Sequence, residues 1–75
     1  MNYQLAKIFA RVLKIPEANI NEGISRGNIV EWDSLNHLML LTEIEKSYNV
    51  KFAASDVLKM NSFKEIDLFL KQKGF

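Results

Sequence analysis

The 75-residue chain lacks cysteine and contains one proline, one histidine and three glycines. Without cysteine it forms no disulfide, no thiolate metal site and no catalytic thiol of its own. Its single histidine, His37, cannot build a metal site alone, so we expect no metal ligands. A formal net charge of +1 argues against strong nucleic-acid binding, which needs a basic surface.

Long hydrophobic runs are absent too. No apolar stretch approaches the roughly 20 residues that span a bilayer. The N-terminal segment MNYQLAKIFARVLK is interrupted by polar residues at helical spacing, unlike a signal peptide. We expect no membrane span, a cytoplasmic location and a monomer. The hydrophobic content of 48% suffices for one globular domain over residues 1–75, with a thin stability margin at this size.

The first half of the chain predicts one helix and a long loop. Over about residues 2–14, apolar residues recur with the period of an amphipathic helix, namely Leu5, Ile8, Phe9, Val12 and Leu13. Pro16 ends that pattern. Residues 15–32 show no dominant period and hold two of the three glycines, which predicts a loop. Four spaced apolar side chains are expected to fix this loop to the core: Ile20, Ile24, Ile29 and Trp32.

Three helices are predicted in the second half. One begins at Ser34, with Asp33 as its N-cap, and ends at Tyr48 or Asn49. Extended chain at Val50, Lys51 and Phe52 leads to a short helix over 54–60, with Ser55 as a candidate cap. The last helix is predicted to begin with a capping box formed by Ser62 and Glu65 and to end at Gly74. Its predicted buried stripe comprises Phe63, Ile66, Phe69 and Leu70.

The helix that begins at Ser34 carries apolar residues on two opposite sides. At about 100° per residue, one face comprises Leu40, Leu41, Ile44 and Tyr48. The opposite face comprises Leu35, Leu38, Met39 and Thr42, with Glu45 and Lys46 as a charged rim. One face can pack on the first and last helices. The other is either a docking surface or is covered by the long loop, and the angles alone leave both open.

Ser34 also has two interpretations. It can be an ordinary residue of a capped helix start, or its hydroxyl can carry a phosphate at a helix N-terminus, where free N–H groups favour anions. His37 follows three residues later, but a Ser–His hydrolase needs an oxyanion hole, an orienting acid and a pocket, for which this domain has little room. We therefore expect His37 to be a surface or loop-contacting residue.

Charge is distributed unevenly along the chain. Residues 1–30 hold four basic and two acidic groups, net +2, and residues 51–75 hold five and three, net +2. Residues 31–50 hold one basic and four acidic groups, net −3. The segment with the two-faced helix would therefore attract a basic partner surface.

The motif Asp-Ser-Leu at 33–35 resembles that of the acyl carrier protein family. It opens an amphipathic helix in mid-chain, after a first helix and a long loop and before a short third helix and a closing helix, so the resemblance covers essentially the whole chain. It implies an all-α, four-helix bundle of acyl-carrier type. It also implies that Ser34 carries 4′-phosphopantetheine, taken from coenzyme A by a phosphopantetheinyl transferase with magnesium.

The resemblance extends to further residues. Asp33 matches the acidic residue before the modified serine, and Ile44 and Tyr48 match core positions. Leu35 and Leu38 match positions that contact partner enzymes, here an acyl- or aminoacyl-loading ligase and acyltransferase or synthase enzymes. The same face holds Met39, Thr42, Glu45 and Lys46. The chain itself is not expected to be an enzyme.

The chain departs from the fatty-acid type of carrier, which is strongly acidic. Asn36 and Met39 stand where acids are common, Lys46 interrupts the acidic run, and Trp32 replaces a small residue. We therefore expect a dedicated carrier of a polyketide, peptide, lipid or surface-modification pathway. The alternative is an unmodified helical protein-interaction domain. A DNA-binding domain is disfavoured because the candidate recognition helix lacks arginine and carries two glutamates.

Overall fold

Four α-helices form in the predicted order, and the computed structural model describes all residues, 1–75. They are α1 (Tyr3–Leu13), α2 (Ser34–Tyr48), α3 (Ala54–Lys59) and α4 (Phe63–Gln72). The all-helical class, the long first loop and the short third helix are confirmed. None of the four helices has the length and apolar character needed to cross a membrane.

Helix α1 begins and ends one residue inside its predicted bounds. The Asn2 side chain caps it, because its Oδ1 accepts the Leu5 N–H at 3.1 Å. Lys14 takes the left-handed conformation, with φ of 58°, and so ends the helix. The whole predicted apolar stripe is buried, together with Ala6.

The loop between α1 and α2 contains one turn of 3-10 helix, Glu17–Asn19. Its anchors are confirmed: Ile20, Ile24 and Trp32 are buried and Ile29 is partly buried against the core. A single antiparallel bridge, Ser25 with Ser62, joins the loop to the start of α4. The loop is therefore fixed to the chain segment that precedes α4.

Capping explains where the last two helices begin. At α3 the predicted cap was wrong. Ser55 lies inside the helix, and Ala53 holds the cap position because its N–H donates to Asp56 Oδ2 at 3.0 Å. At α4, Ser62 is the N-cap as predicted, since its Oγ accepts the Glu65 N–H at 3.1 Å and donates to Glu65 Oε1 at 3.1 Å.

Three aromatic rings meet in the centre of the core. Phe9 of α1 contacts Trp32 edge-on, with ring centroids 5.2 Å apart, and Phe63 of α4 at 5.0 Å. All three side chains are buried, and such pairs add about 0.5–1.5 kcal/mol beyond their burial. Because Trp32 is fixed two residues before α2, this cluster also fixes the position of Ser34.

A polar cluster holds the other end of α2. Asp67 of α4 is buried, and its carboxylate accepts from Asn2 Nδ2 at 3.0 Å and pairs with Lys71 Nζ at 3.1 Å. Tyr48 donates its hydroxyl to Asn2 Oδ1 at 3.4 Å. Burial and the nearby Asp67 charge raise the pKa of Tyr48 above its ordinary value, although the Asn2 hydrogen bond opposes them. The N-terminus, α2 and α4 are thus joined far from Ser34.

Candidate functional site

Asp33 caps the start of α2, as the sequence predicts. Its Oδ1 accepts the Asn36 N–H at 2.8 Å, and Asn36 Nδ2 donates to the Glu31 carbonyl at 2.8 Å. The capping role therefore belongs to the aspartate. The Ser34 hydroxyl at the next position is not needed for it.

Ser34 is the first residue of α2 and is exposed. Its Oγ accepts one hydrogen bond, from Arg26 Nη2 at 3.4 Å. The backbone N–H groups of Ser34 and Leu35 have no acceptor within the protein. An accessible primary hydroxyl, two free N–H groups and a guanidinium therefore lie together at the positive end of a helix.

Arg26 is a site residue that the sequence did not indicate. Its Nη1 donates to Asn61 Oδ1 at 3.3 Å and its backbone N–H donates to the Asn61 carbonyl at 3.0 Å. Arg26 lies eight residues before Ser34 in the loop, and no helical or strand period relates the two positions. They meet because the loop is fixed beside the start of α4.

His37 is buried, with 4% of its surface exposed, and it contacts the long loop through Trp32, so the loop-contacting one of its two predicted positions is confirmed. The Trp32 indole N–H donates to Nδ1 at 3.0 Å, and Nε2 lies 3.3 Å from the Val57 carbonyl oxygen. Since an indole only donates and a carbonyl only accepts, the neutral ring carries its proton on Nε2. Both nitrogens are occupied, so His37 does not pair with Ser34.

The pKa of His37 is lowered, which makes stability depend on pH. Burial is the largest cause, the Val57 hydrogen bond opposes it, and the positive charge of Arg26 adds to it. The unfolded chain, with a histidine pKa of about 6.5, binds the proton more readily. We expect the free energy of unfolding to be highest above that pH and to fall as the pH drops through it towards the lower folded-state pKa.

Chemical denaturation between about pH 7.5 and 5.5, the range in which an ordinary histidine titrates, measures this effect. His37→Gln is the matched variant and should remove most of the slope, since the chain has no second histidine. An unchanged slope in His37→Gln would show that other groups cause the pH dependence.

The outer face of α2 is open. We call Leu35, Leu38 and Met39 the outer apolar stripe; their surfaces are 67%, 58% and 48% exposed. The opposite side is buried, with Leu40 and Ile44 at 0%. The long loop therefore does not cover the stripe, and a shallow depression runs along it beside Thr42 and Glu43.

The polar residues predicted on this face differ in exposure and in the contacts that hold their side chains. Thr42 is exposed and its Oγ1 donates to the Leu38 carbonyl at 2.9 Å. Lys46 is exposed, with Nζ 3.9 Å from Glu43 Oε1. Glu45 is partly buried, and its Oε2 accepts the Phe52 N–H at 2.8 Å. Lys46 is therefore the freer charge of the rim, whereas Glu45 also holds the segment after α2 in place.

The two most exposed large apolar side chains of the protein lie outside α2 and were not predicted. Val30 precedes α2 and is 89% exposed, and Leu58 of α3 is 79% exposed. Leu58 adjoins Val57, whose carbonyl binds His37 in the first turn of α2. Apolar surface therefore flanks the start of α2 from the loop and from α3.

Comparison with known proteins identifies no relative: no family model matches the chain and no curated protein has a significantly similar sequence. The chemistry of the site follows from its own groups. Free N–H groups and a guanidinium bind phosphate oxygens, and a serine hydroxyl can be esterified by phosphate. The residues around Ser34 therefore fit an attached phosphate ester.

Proposed function

We propose that the protein is a carrier of the acyl carrier protein type, with 4′-phosphopantetheine attached to Ser34. The observation that carries the proposal is the exposed Ser34 hydroxyl, which is free of the capping role and stands at the head of a helix with an open outer apolar stripe. The stripe gives a partner enzyme a surface to bind beside the reacting oxygen.

The attachment reaction needs an accessible serine and a separate enzyme. A phosphopantetheinyl transferase would supply the coenzyme A site, magnesium and the base. Ser34 Oγ loses its proton to that base and bonds to the phosphorus next to the pantetheine. The bond from that phosphorus to the bridging pyrophosphate oxygen breaks, and adenosine 3′,5′-diphosphate leaves. Asp33 keeps the helix start ordered while Ser34 Oγ projects from it.

The arm supplies the sulfur that the chain lacks. Its terminal thiol holds a carboxylic acid as a thioester, and tethering raises the effective concentration of that acyl group at a docked enzyme. The partners would be a loading ligase and acyltransferase or synthase enzymes. They would bind the outer apolar stripe and the Thr42–Lys46 segment weakly, as suits a carrier that visits several enzymes.

The charge of the outer face favours a dedicated pathway over fatty acid synthesis. Its exposed centre is apolar, Lys46 is basic, and Glu43 is already paired with Arg11 at 3.3 Å. A basic partner groove therefore finds few free carboxylates here. Carriers of polyketide, peptide, lipid or surface-modification pathways fit such a face better.

A thiol assay tests the proposal. The purified protein is incubated with coenzyme A, magnesium and a broad-specificity transferase, then freed of coenzyme A. Because the chain has no cysteine, we expect a thiol reagent to react with one group per chain after the reaction and with none before it. A folded protein that gains no thiol would contradict the proposal and favour the unmodified interaction domain.

A further inference from the structure

Arg26 makes the one side-chain contact to the Ser34 hydroxyl. We propose that Arg26 is a positioning residue that binds the phosphate of the arm once it is attached to Ser34. This inference rests on the proposed function and adds a residue from outside the Asp-Ser-Leu motif. It predicts that binding of the attached phosphate depends both on the charge of Arg26 and on the fixed position of its side chain.

The geometry of Arg26 is set before any arm is attached. Asn61 holds it at two points, through its Nη1 and through its backbone N–H, and the Ser25–Ser62 bridge fixes the neighbouring residues. The side chain is partly buried. A guanidinium held in this way loses less conformational freedom on binding a phosphate than a free surface lysine would.

The contact is suited to the esterified serine. In the unmodified chain, Arg26 Nη2 donates to Ser34 Oγ at 3.4 Å. After esterification that oxygen becomes the bridging atom, and the phosphorus with its two non-bridging oxygens is one bond further away. Guanidinium N–H groups not used by Asn61 then reach those oxygens in a charge-assisted hydrogen bond. The free N–H groups of Ser34 and Leu35 lie on the same helix end.

Charge balance at the helix start also favours a cation beside Ser34. The Asp33 carboxylate directly precedes Ser34, so a phosphodiester adds a second negative charge beside it. Lys46 is twelve residues further along α2, or about 18 Å at the helical rise. Arg26 already contacts Ser34 Oγ, so its charge is placed to offset the attached phosphate and to reduce its repulsion with Asp33.

A thermodynamic cycle tests the inference without using carrier activity. Unmodified and modified forms of the wild type and of Arg26→Ala are prepared, with prolonged transferase treatment where the reaction is slow. For each protein, the unfolding equilibrium constant of the modified form is divided by that of the unmodified form. We expect this ratio to be about two- to fivefold larger for Arg26→Ala than for the wild type, as for a partly exposed ion pair. This difference between Arg26→Ala and the wild type should shrink in about 1 M salt, because salt screens the ion pair.

Three further variants separate charge from geometry. Arg26→Lys keeps the charge but lacks the planar guanidinium, and Asn61→Ala keeps Arg26 but removes the side chain that holds it. In each variant the effect of modification on unfolding should lie between those in the wild type and in Arg26→Ala. Arg11→Ala is the matched control, because Arg11 pairs with Glu43, nine residues beyond Ser34 on α2, and should behave as the wild type.

Two outcomes would overturn the inference. If the wild type accepts the arm and Arg26→Ala shows the same effect of modification on unfolding as the wild type, Arg26 does not bind the phosphate, although the carrier function stands. If the folded wild type never accepts the arm, the proposed function fails and Arg26 has no phosphate to position.

Discussion

Ser34→Ala is expected to abolish attachment of phosphopantetheine completely while leaving the fold intact. The alanine lacks the oxygen that bonds to phosphorus, so no slower route remains at this position. The capping bond comes from Asp33, and the exposed Ser34 side chain makes only the Arg26 contact. The loss of stability should therefore stay within about 0.5 kcal/mol. Intact-mass measurement after coexpression with a broad-specificity transferase reports the modification.

Ser47→Ala is the matched control for that experiment. Ser47 is also exposed and lies on the same helix, but at its other end and away from the free N–H groups. It should accept the arm as the wild type does. Continued modification of Ser34→Ala would show that another residue carries the arm.

Glutamate substitution on opposite sides of α2 is expected to give opposite results. Leu40→Glu puts a carboxylate at a position with 0% exposure and removes a packed leucine. The cost of at least about 4 kcal/mol approaches the whole stability of so small a domain. Leu38→Glu changes a side chain that is 58% exposed, so folding should be nearly unaffected. Its transferase or partner turnover should nevertheless fall, because the carboxylate interrupts the outer apolar stripe.

Circular dichroism with thermal denaturation measures the first effect, and modification rates measure the second. Lys7→Glu provides a charge control for Leu38→Glu, since it adds negative charge at an exposed position on α1, outside the outer apolar stripe. Unfolding of Leu38→Glu would mean that the stripe belongs to the core. A folded Leu38→Glu with unchanged turnover at all partners would remove the docking role from Leu38.

Local patterns predicted most of the fold because they depend on near neighbours in the chain. The stripe of α1, the Asp33 and Ser62 caps and the two faces of α2 are all relations within about one to four turns of helix. The structure places these features where the sequence predicts them. Ser55 failed as a cap because Asp56 bonds to the Ala53 N–H, and the sequence pattern does not decide between those two starting points.

His37 could have been assigned to the buried face of α2 from the sequence. Three steps of about 100° from Ser34 put it at the centre of the face that holds Leu40, Ile44 and Tyr48, which is the buried face. The prediction left a surface or a loop-contacting position open, whereas the angle of His37 on the helix indicates the core. Trp32, already expected in the core, supplies the donor that makes burial of the ring favourable.

The contact between Arg26 and Ser34 could not be predicted in the same way. It depends on where the long loop lies against the start of α4. Two backbone hydrogen bonds set that position: Arg26 N–H donates to the Asn61 carbonyl, and Phe63 N–H donates to the Ile24 carbonyl. Similarly, the bond from Glu45 to the Phe52 N–H depends on how the chain turns after α2. Such contacts form between segments without a shared period, so only the folded structure reveals them.

Peptide mapping of the protein coexpressed with a broad-specificity phosphopantetheinyl transferase is the most direct test of Ser34 as the attachment point. Cleavage after lysine and arginine puts each of the five serines on a different peptide, and residues 27–46 contain Ser34 alone. We predict one phosphopantetheine on that peptide, with fragment ions that assign it to Ser34. A folded protein whose 27–46 peptide stays unmodified, or an arm found on any other peptide, would contradict the account.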